Sequence, residues 1–317
     1  MRGTRRWSVT QDLNSAQFIF NLMQNFPKTT MVMDVRSPAE FNHMRLHNSL
    51  NIPYCDQYSD SPSMQDLRQH AIGDLKLFDN RRRLLIIIVF SPPGIVFARE
   101  VAYILWKDKC KEVHVLEEEF GHFAQKYPFL CLGDGFPTYK LPAFGYPSEI
   151  IPFQLYLGDY HHAEDPLVVE CLKITHILNA TNCFEARFMS KGVVYLRLGV
   201  EDLATEDISK HFQLAYNFIK NALKEPRGRV LVHCAQGVSR SSTYVIMYLM
   251  RSRKINYEAA LNIVKLYREV ACPNEGFAKQ LQNLIFTDYD SDSSSESDRS
   301  IANEYENETN QDKVMID

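Results

Sequence analysis

The sequence predicts an α/β protein of two units, and three observations carry that prediction. Short β-rich or apolar runs of strand length alternate with helix-length segments from Thr30 to about Phe129, and the same cycle restarts near Leu155. The run Leu84–Phe90 is apolar at every position, as a central parallel strand covered on both faces requires. The length, 317 residues, suits two domains, and the stretch between Leu130 and Pro147 holds three Pro and three Gly without any sustained period.

In chain order, Thr30–Val35 is a short β-rich run, Leu84–Phe90 the central strand, Val96–Lys107 a helix and Val113–Leu116 a further strand, linked by right-handed crossovers. Residues 130–147 read as a linker. Leu155–Leu157 then starts the second cycle, with a helix at Pro166–Leu172 and strands at Ile177–Asn179 and Val193–Leu196. The segment Ile208–Leu223 is helical, with Phe212, Ala215, Phe218, Ile219 and Ala222 on one face. A strand at Arg229–His233, a loop and an apolar helix at Ser241–Arg251 follow. Helices at Tyr257–Tyr267 and Gly276–Leu284 complete the unit. The expected layout is residues 1–129, linker 130–147, second unit 148–287 and a tail 288–317.

The net charge of −4 hides an asymmetry. Residues 288–317 hold ten acidic and two basic residues, leaving 33 basic against 29 acidic in the body. The tail is so poor in apolar residues that disorder is expected, and its serines interleaved with acidic residues suit kinase acceptors. A mildly basic body suits anionic ligands, and nothing marks nucleic acid as the partner. Seven scattered cysteines (55, 110, 131, 171, 183, 234 and 272) show neither a disulfide framework nor metal-ligand spacing, so neither a metal nor a cofactor is expected. Their pattern points to a reducing compartment. No apolar run approaches the roughly 18 residues of a membrane span. The cytoplasm is the expected location, with the nucleus as an addition. The basic start MRGTRRWS reads as a frayed terminus, with a mitochondrial presequence as the alternative.

The chemistry sits at His233-Cys234-Ala235-Gln236-Gly237-Val238-Ser239-Arg240-Ser241. A strand ends at His233 and a helix starts just beyond Arg240. A loop of small and flexible residues in that setting can turn successive N–H groups towards one spot, forming an anion nest at the positive end of a helix. Residues Ala235 to Arg240 are the candidate phosphate binders. A sulfur at the base of the nest feels the same field, which favours its anionic, nucleophilic form. Arg240 offers a planar fork that holds two phosphate oxygens, a geometry lysine does not reproduce. The combination supports covalent catalysis through Cys234. The leaving oxygen needs a proton from another loop, and the candidates are Asp202 with its neighbours Glu201, Glu206 and Asp207.

Residues 150–285 resemble the dual-specificity phosphatases. The matching stretches are Leu155–Gly158, Ile177–Thr181, Asp202, Arg229–Ser242, Tyr248–Met250 and Pro273–Phe277. The resemblance implies a mainly parallel central sheet flanked by helices, and a shallow pocket for phosphotyrosine and phosphoserine or phosphothreonine. It selects Asp202 as the general acid, because in that family the acid stands about ten residues before an aromatic such as Phe212. It also implies that Ser241 assists release of the thiolate, that Asn274 braces the phosphate loop and that His233 supports the site.

The first unit resembles rhodanese domains at Asp34–Phe41 and Leu50–Pro53. That family carries a catalytic cysteine directly after a strand like Ile86–Phe90, where this chain has Ser91, so sulfur transfer is not expected. Such a unit ahead of a dual-specificity domain is the layout of the MAP kinase phosphatases and of the serine/threonine/tyrosine-interacting-like pseudophosphatases. Parts of residues 150–185 lean to the latter. A kinase-docking role would call on a basic cluster, and Arg81–Arg83 is the comparable one. The expected activity is protein phosphatase; the alternative is a phosphoprotein-binding adaptor with little turnover. A phosphatase for RNA 5′ ends or phosphoinositides lacks the basic residues within the loop that would recommend it.

Overall fold

The computed structural model describes residues 6–10 and 15–284, apart from 55–62, 74, 77–78, 80–85, 93, 95, 118, 135–138 and 184. The expectations for the acidic tail, for Arg81–Arg83 and for Cys55 lie outside the described residues.

In the first unit β1 (Arg6–Thr10) is followed by α1 (Ser15–Asn25) and β2 (Thr30–Asp34). Then come α2 (Pro38–His43), β3 (Met44–Leu46), β4 (Leu50–Asn51) and α3 (Met64–His70). β5 (Ile86–Ser91), α4 (Val96–Lys107), β6 (Glu112–Glu117), α5 (Phe120–Lys126) and β7 (Cys131–Gly133) complete it. The sheet order is β1-β6-β5-β2-β4, with every pairing parallel and β5 in the middle. Ile87 to Phe90 are fully buried, which is why this run carries no polar face. The turn into α2 is fixed by a capping box, in which Ser37 Oγ accepts from Glu40 N and Glu40 Oε2 accepts from Ser37 N.

The second unit starts with β8 (Ser148–Ile151) and β9 (Leu155–Asp159), then α6 (Tyr160–Glu164) and α7 (Pro166–Leu172). β10 (His176–Asn179), β11 (Val194–Arg197), α8 (Phe212–Lys224) and β12 (Val230–Cys234) follow. α9 (Arg240–Arg253), α10 (Tyr257–Tyr267) and α11 (Glu275–Gln282) end it. The order is β11-β10-β12-β9-β8, parallel except for the antiparallel edge pair β8–β9. α9 is buried along Ser241 to Met250 and forms the centre of this unit's core.

Four local expectations change. Arg6–Thr10 is not frayed but pairs in parallel with β6, Arg6 opposite Glu112; five residues are too few to show a period. Leu130–Gly133 belongs to the first unit rather than the linker, because Cys131–Gly133 pairs antiparallel with Met44–Leu46. The helix from Ile208 starts as a 3₁₀ turn at Ser209–His211, held by Asp207 accepting from the Ser209 N–H and hydroxyl, and becomes α-helical only at Phe212. The helix after the loop begins at Arg240 itself, not beyond it.

The two units share a core. Phe20, Tyr127 and Phe129 of the first join Tyr156, Ile177 and Leu231 of the second, together with Tyr146 of the linker, and Phe20 stacks on Tyr127 at 4.7 Å between ring centroids. β8 is an edge strand, and α1 closes its open side. Asn21 Nδ2 donates to Glu149 O at 2.8 Å while Asn21 Oδ1 accepts from Glu149 N at 2.7 Å, so one side-chain amide does what a neighbouring strand would. Gln17 Nε2 donates to Glu149 O at 2.9 Å. The Glu149 carboxylate is buried in the seam and accepts from Tyr127 Oη, Tyr156 Oη and the Phe153 N–H. Burial pushes its pKa up against the pull of these donors.

Candidate active site

Cys234 is the last residue of β12, in register with Asp159 of β9, and its sulfur is buried. Two donors face it: the Gly237 N–H and the Ser241 hydroxyl, each 3.2 Å from Sγ. A strand end thus sets the sulfur at the floor of the loop, and the first turn of α9 brings Ser241 over it.

The loop's shape follows from what holds its carbonyls. Gly237 O accepts from Arg268 Nε at 2.7 Å and Gln236 O from Arg268 Nη2 at 3.3 Å. Val238 O accepts from Cys272 N at 2.8 Å, and Ser239 O from Thr243 N and Oγ1, both at 2.9 Å. Every peptide bond here is trans, so the N–H groups of residues 237–240 point away from those outward carbonyls, into the concave side. A loop so arranged has the form of an anion nest. Gly237 has φ of +66°, and a Cβ there would lie 2.5 Å from both Gly158 O and Arg268 Nη2; glycine is required on both counts. Ala235 and Val238 are half-buried and Gln236 is exposed on this loop.

Arg240 begins α9 at the open side of the nest. Its Nη1 donates to Val200 O at 3.1 Å, and its Nε lies 3.5 Å from Asp202 Oδ2. Asp202 Oδ1 accepts from Ser239 Oγ at 2.6 Å and from Asn274 Nδ2 at 2.9 Å. The acid loop is therefore tied to the phosphate loop through its carboxylate. Asn274 does more than brace the loop: its Oδ1 caps α11 at Phe277 N, its N–H donates to Ser239 Oγ and its amide holds Asp202. Gly276 lets α11 rest directly on the acid loop, since a Cβ there would fall 1.9 Å from Ala204 O. Glu201, Glu206 and Asp207 engage Asn182, Lys210 and Ser209 instead. His233 is buried beneath the loop, and burial pushes its ring down to about 4, so it is neutral at physiological pH.

The structure brings Cys234, Arg240, Asp202, Ser241, Ser239 and Asn274 together, and adds two groups the sequence did not single out: Arg268 and the carbonyl of Val200. Arg268 lies five positions before Pro273, and that proximity is its one signal, because no spacing rule connects it to Cys234. In the first unit, the middle strand ends at Ser91. That residue is buried, and its hydroxyl donates to Pro92 O at 2.8 Å. Among the described residues no group of three or more His, Cys, Asp or Glu side chains is arranged to hold a metal, and no helix is long and apolar enough to cross a membrane.

Residues 155–284 match the family model described as dual specificity phosphatase, catalytic domain. A Dictyostelium discoideum protein named as a probable rhodanese domain-containing dual specificity protein phosphatase is 35% identical over 185 residues, covering 57% of this chain and 38% of that protein. Dual specificity protein phosphatase 26 of Bos taurus is 41% identical over 146 residues, covering 45% of this chain and 68% of its own length. The tyrosine-protein phosphatase vhp-1 of Caenorhabditis elegans is 26% identical over 305 residues, 84% of this chain and 46% of that protein. The chain thus spans less than half of the Dictyostelium and nematode proteins.

Proposed function

Because the chain belongs to the dual-specificity phosphatases, we propose that it hydrolyses phosphotyrosine and phosphoserine or phosphothreonine in proteins through a phosphocysteine intermediate. The observation that carries this is the pair of donors on Cys234 Sγ, at the floor of a loop whose N–H groups converge. The phosphoryl group binds the N–H groups of residues 237–240 and the Arg240 fork, which together hold the charge spread over its oxygens in the transition state. Cys234 Sγ attacks phosphorus, the P–S bond forms as the ester P–O bond breaks, and the Asp202 carboxyl gives its proton to the leaving oxygen. Asp202, now a carboxylate, takes a proton from the incoming water, whose oxygen displaces the sulfur from phosphorus. The Ser241 hydroxyl, already 3.2 Å from Sγ, donates to the departing thiolate.

The substrates in this scheme are phosphoproteins of the cytoplasm. A MAP kinase carried on the N-terminal unit is the specific partner, and the shared two-unit layout supports it. The test compares the full chain with Cys234→Ser on an aryl phosphate, then uses the variant to trap phosphoproteins, a MAP kinase included. Turnover by the wild type, its loss in the variant and retained phosphopeptide binding are expected. Equal inertness of both proteins with phosphopeptide binding intact would leave an adaptor.

A further inference from the structure

The seam between the units runs into the bracing of the phosphate loop. Asn25, the last residue of α1, donates from Nδ2 to Tyr267 O at 2.8 Å. This closes the C-terminal end of α10, and the next residue is Arg268, whose own N–H donates to Val264 O at 2.8 Å. The other end of the Asn25 amide, Oδ1, accepts from Ser148 Oγ at 3.4 Å, and Ser148 Oγ accepts from Arg268 Nη1 at 3.4 Å. Arg268 is 8% exposed, and it also donates to the carbonyls of Gln236 and Gly237. A residue of the first unit therefore fixes both the backbone that carries Arg268 and the hydroxyl that steadies its guanidinium.

Little slack exists along this line. A guanidinium is a rigid fork, so moving its root moves all its donors together. At its far end stands Gly237, packed so closely that a Cβ would meet Arg268 Nη2 and Gly158 O at 2.5 Å. The Gly237 N–H is one of the two donors on the Cys234 sulfur. A displacement of Tyr267–Arg268 thus reaches the nucleophile through one peptide group.

We propose that Asn25 of the rhodanese-like unit is a positioning residue for the phosphate loop, acting through Tyr267 and Arg268, so that the first unit sets the geometry of the site it does not contain. The effect on turnover rests on the phosphatase activity proposed above; the effect on phosphate binding does not.

The test uses the full chain and compares two asparagines on the same helix. Asn21 makes two short hydrogen bonds to Glu149 across the same seam, and these hold the β8 backbone rather than Tyr267 or the Ser148 hydroxyl. Asn25→Ala and Asn21→Ala are expected to lower the thermal midpoint alike. Asn25→Ala alone should reduce kcat/KM and weaken binding of inorganic phosphate, each by about tenfold, since small misplacements of a preorganised site carry costs of that order. Asn25→Asp keeps the acceptor for Ser148 but sets a carboxylate oxygen against Tyr267 O, and should match the alanine variant; circular dichroism checks that each variant is folded. Equal effects of the Asn21 and Asn25 variants on phosphate binding, or no effect of either, would overturn the proposal. A wild type that binds phosphate without turnover, with binding weakened only in the Asn25 variants, would sink the phosphatase reading and keep the positioning role. A wild type that does not bind phosphate at all would overturn both.

Discussion

Each unit has a strand–loop–helix at the middle of its sheet, and the two differ where chemistry would start. β5 ends at Ser91, whose hydroxyl is spent on the next carbonyl, Pro92 O. β12 ends at Cys234, whose sulfur receives two donors, and the carbonyls of Gln236 to Ser239 are held from outside by Arg268, Cys272 and Thr243. Both strands are buried, parallel and followed by a helix. The shared scaffold delivers a residue to the C-terminal end of a central strand; what shapes the second loop is the set of groups that turn its N–H vectors inward. The chain combines a rhodanese-like unit whose middle strand ends in serine with a dual-specificity phosphatase unit whose middle strand ends in cysteine.

The comparison can be broken at several points. Gly237→Ala should have the largest effect: it places a side chain at φ of +66° against two atoms 2.5 Å away. The expected result is a loss of about 2 kcal/mol of stability or more and at least about 100-fold in kcat/KM, read by denaturant unfolding and steady-state kinetics. Next is Asp202→Asn, which should slow an alkyl phosphate about 100-fold while leaving an activated aryl phosphate much less affected. An equal loss on both substrates would remove Asp202 as the proton donor.

A smaller effect concerns His233, a neutral ring beneath the loop that burial holds down to about 4, helped by the charges of His162 and Arg197 and opposed by the Cys234 backbone and Asp159. Its folded-state value lies below the unfolded value of about 6.5, so below that pH the unfolded chain takes up a proton that the folded chain refuses. Stability should therefore be full above pH 6.5 and fall as pH drops towards 4, by about 2 kcal/mol between pH 7 and pH 5. His233→Gln should flatten that part of the profile; an unchanged profile would assign the dependence to other groups. Ser91→Cys should have the smallest effect. Installing sulfur at the end of β5 should yield no detectable sulfur transfer from thiosulfate to cyanide, and appearance of that activity would show that the nucleophile alone was missing.

Much of this was legible in the sequence where neighbours along the chain do the work. Val96–Lys107, Pro166–Leu172 and Tyr257–Tyr267 form helices with the bounds expected, and a proline or cap residue marks the start of the last two. The phosphate loop reads directly because strand, glycine, arginine and helix are contiguous. The strands β1 and β7 were missed because they hold few residues and are fixed by partners far away in sequence. Arg268 was missed for the same reason, since it meets Gly237 across 31 positions; Asn25 meets Tyr267 across 242. A sequence pattern reports periodicity and adjacency, and neither records which distant side chain holds a carbonyl.

The shared aromatic core has a consequence for how the chain behaves as a polymer. Phe20, Tyr127 and Phe129 lie on one side of the seam, and Tyr156, Ile177 and Leu231 on the other. Neither half can be cut away without exposing large apolar rings and the open edge of β8, the sort of surface that drives association between copies. The two halves should therefore melt in one cooperative step. A truncation starting near Ser148 should be recovered mostly as aggregate, and substitutions in the first hundred residues should act on the abundance of the whole chain.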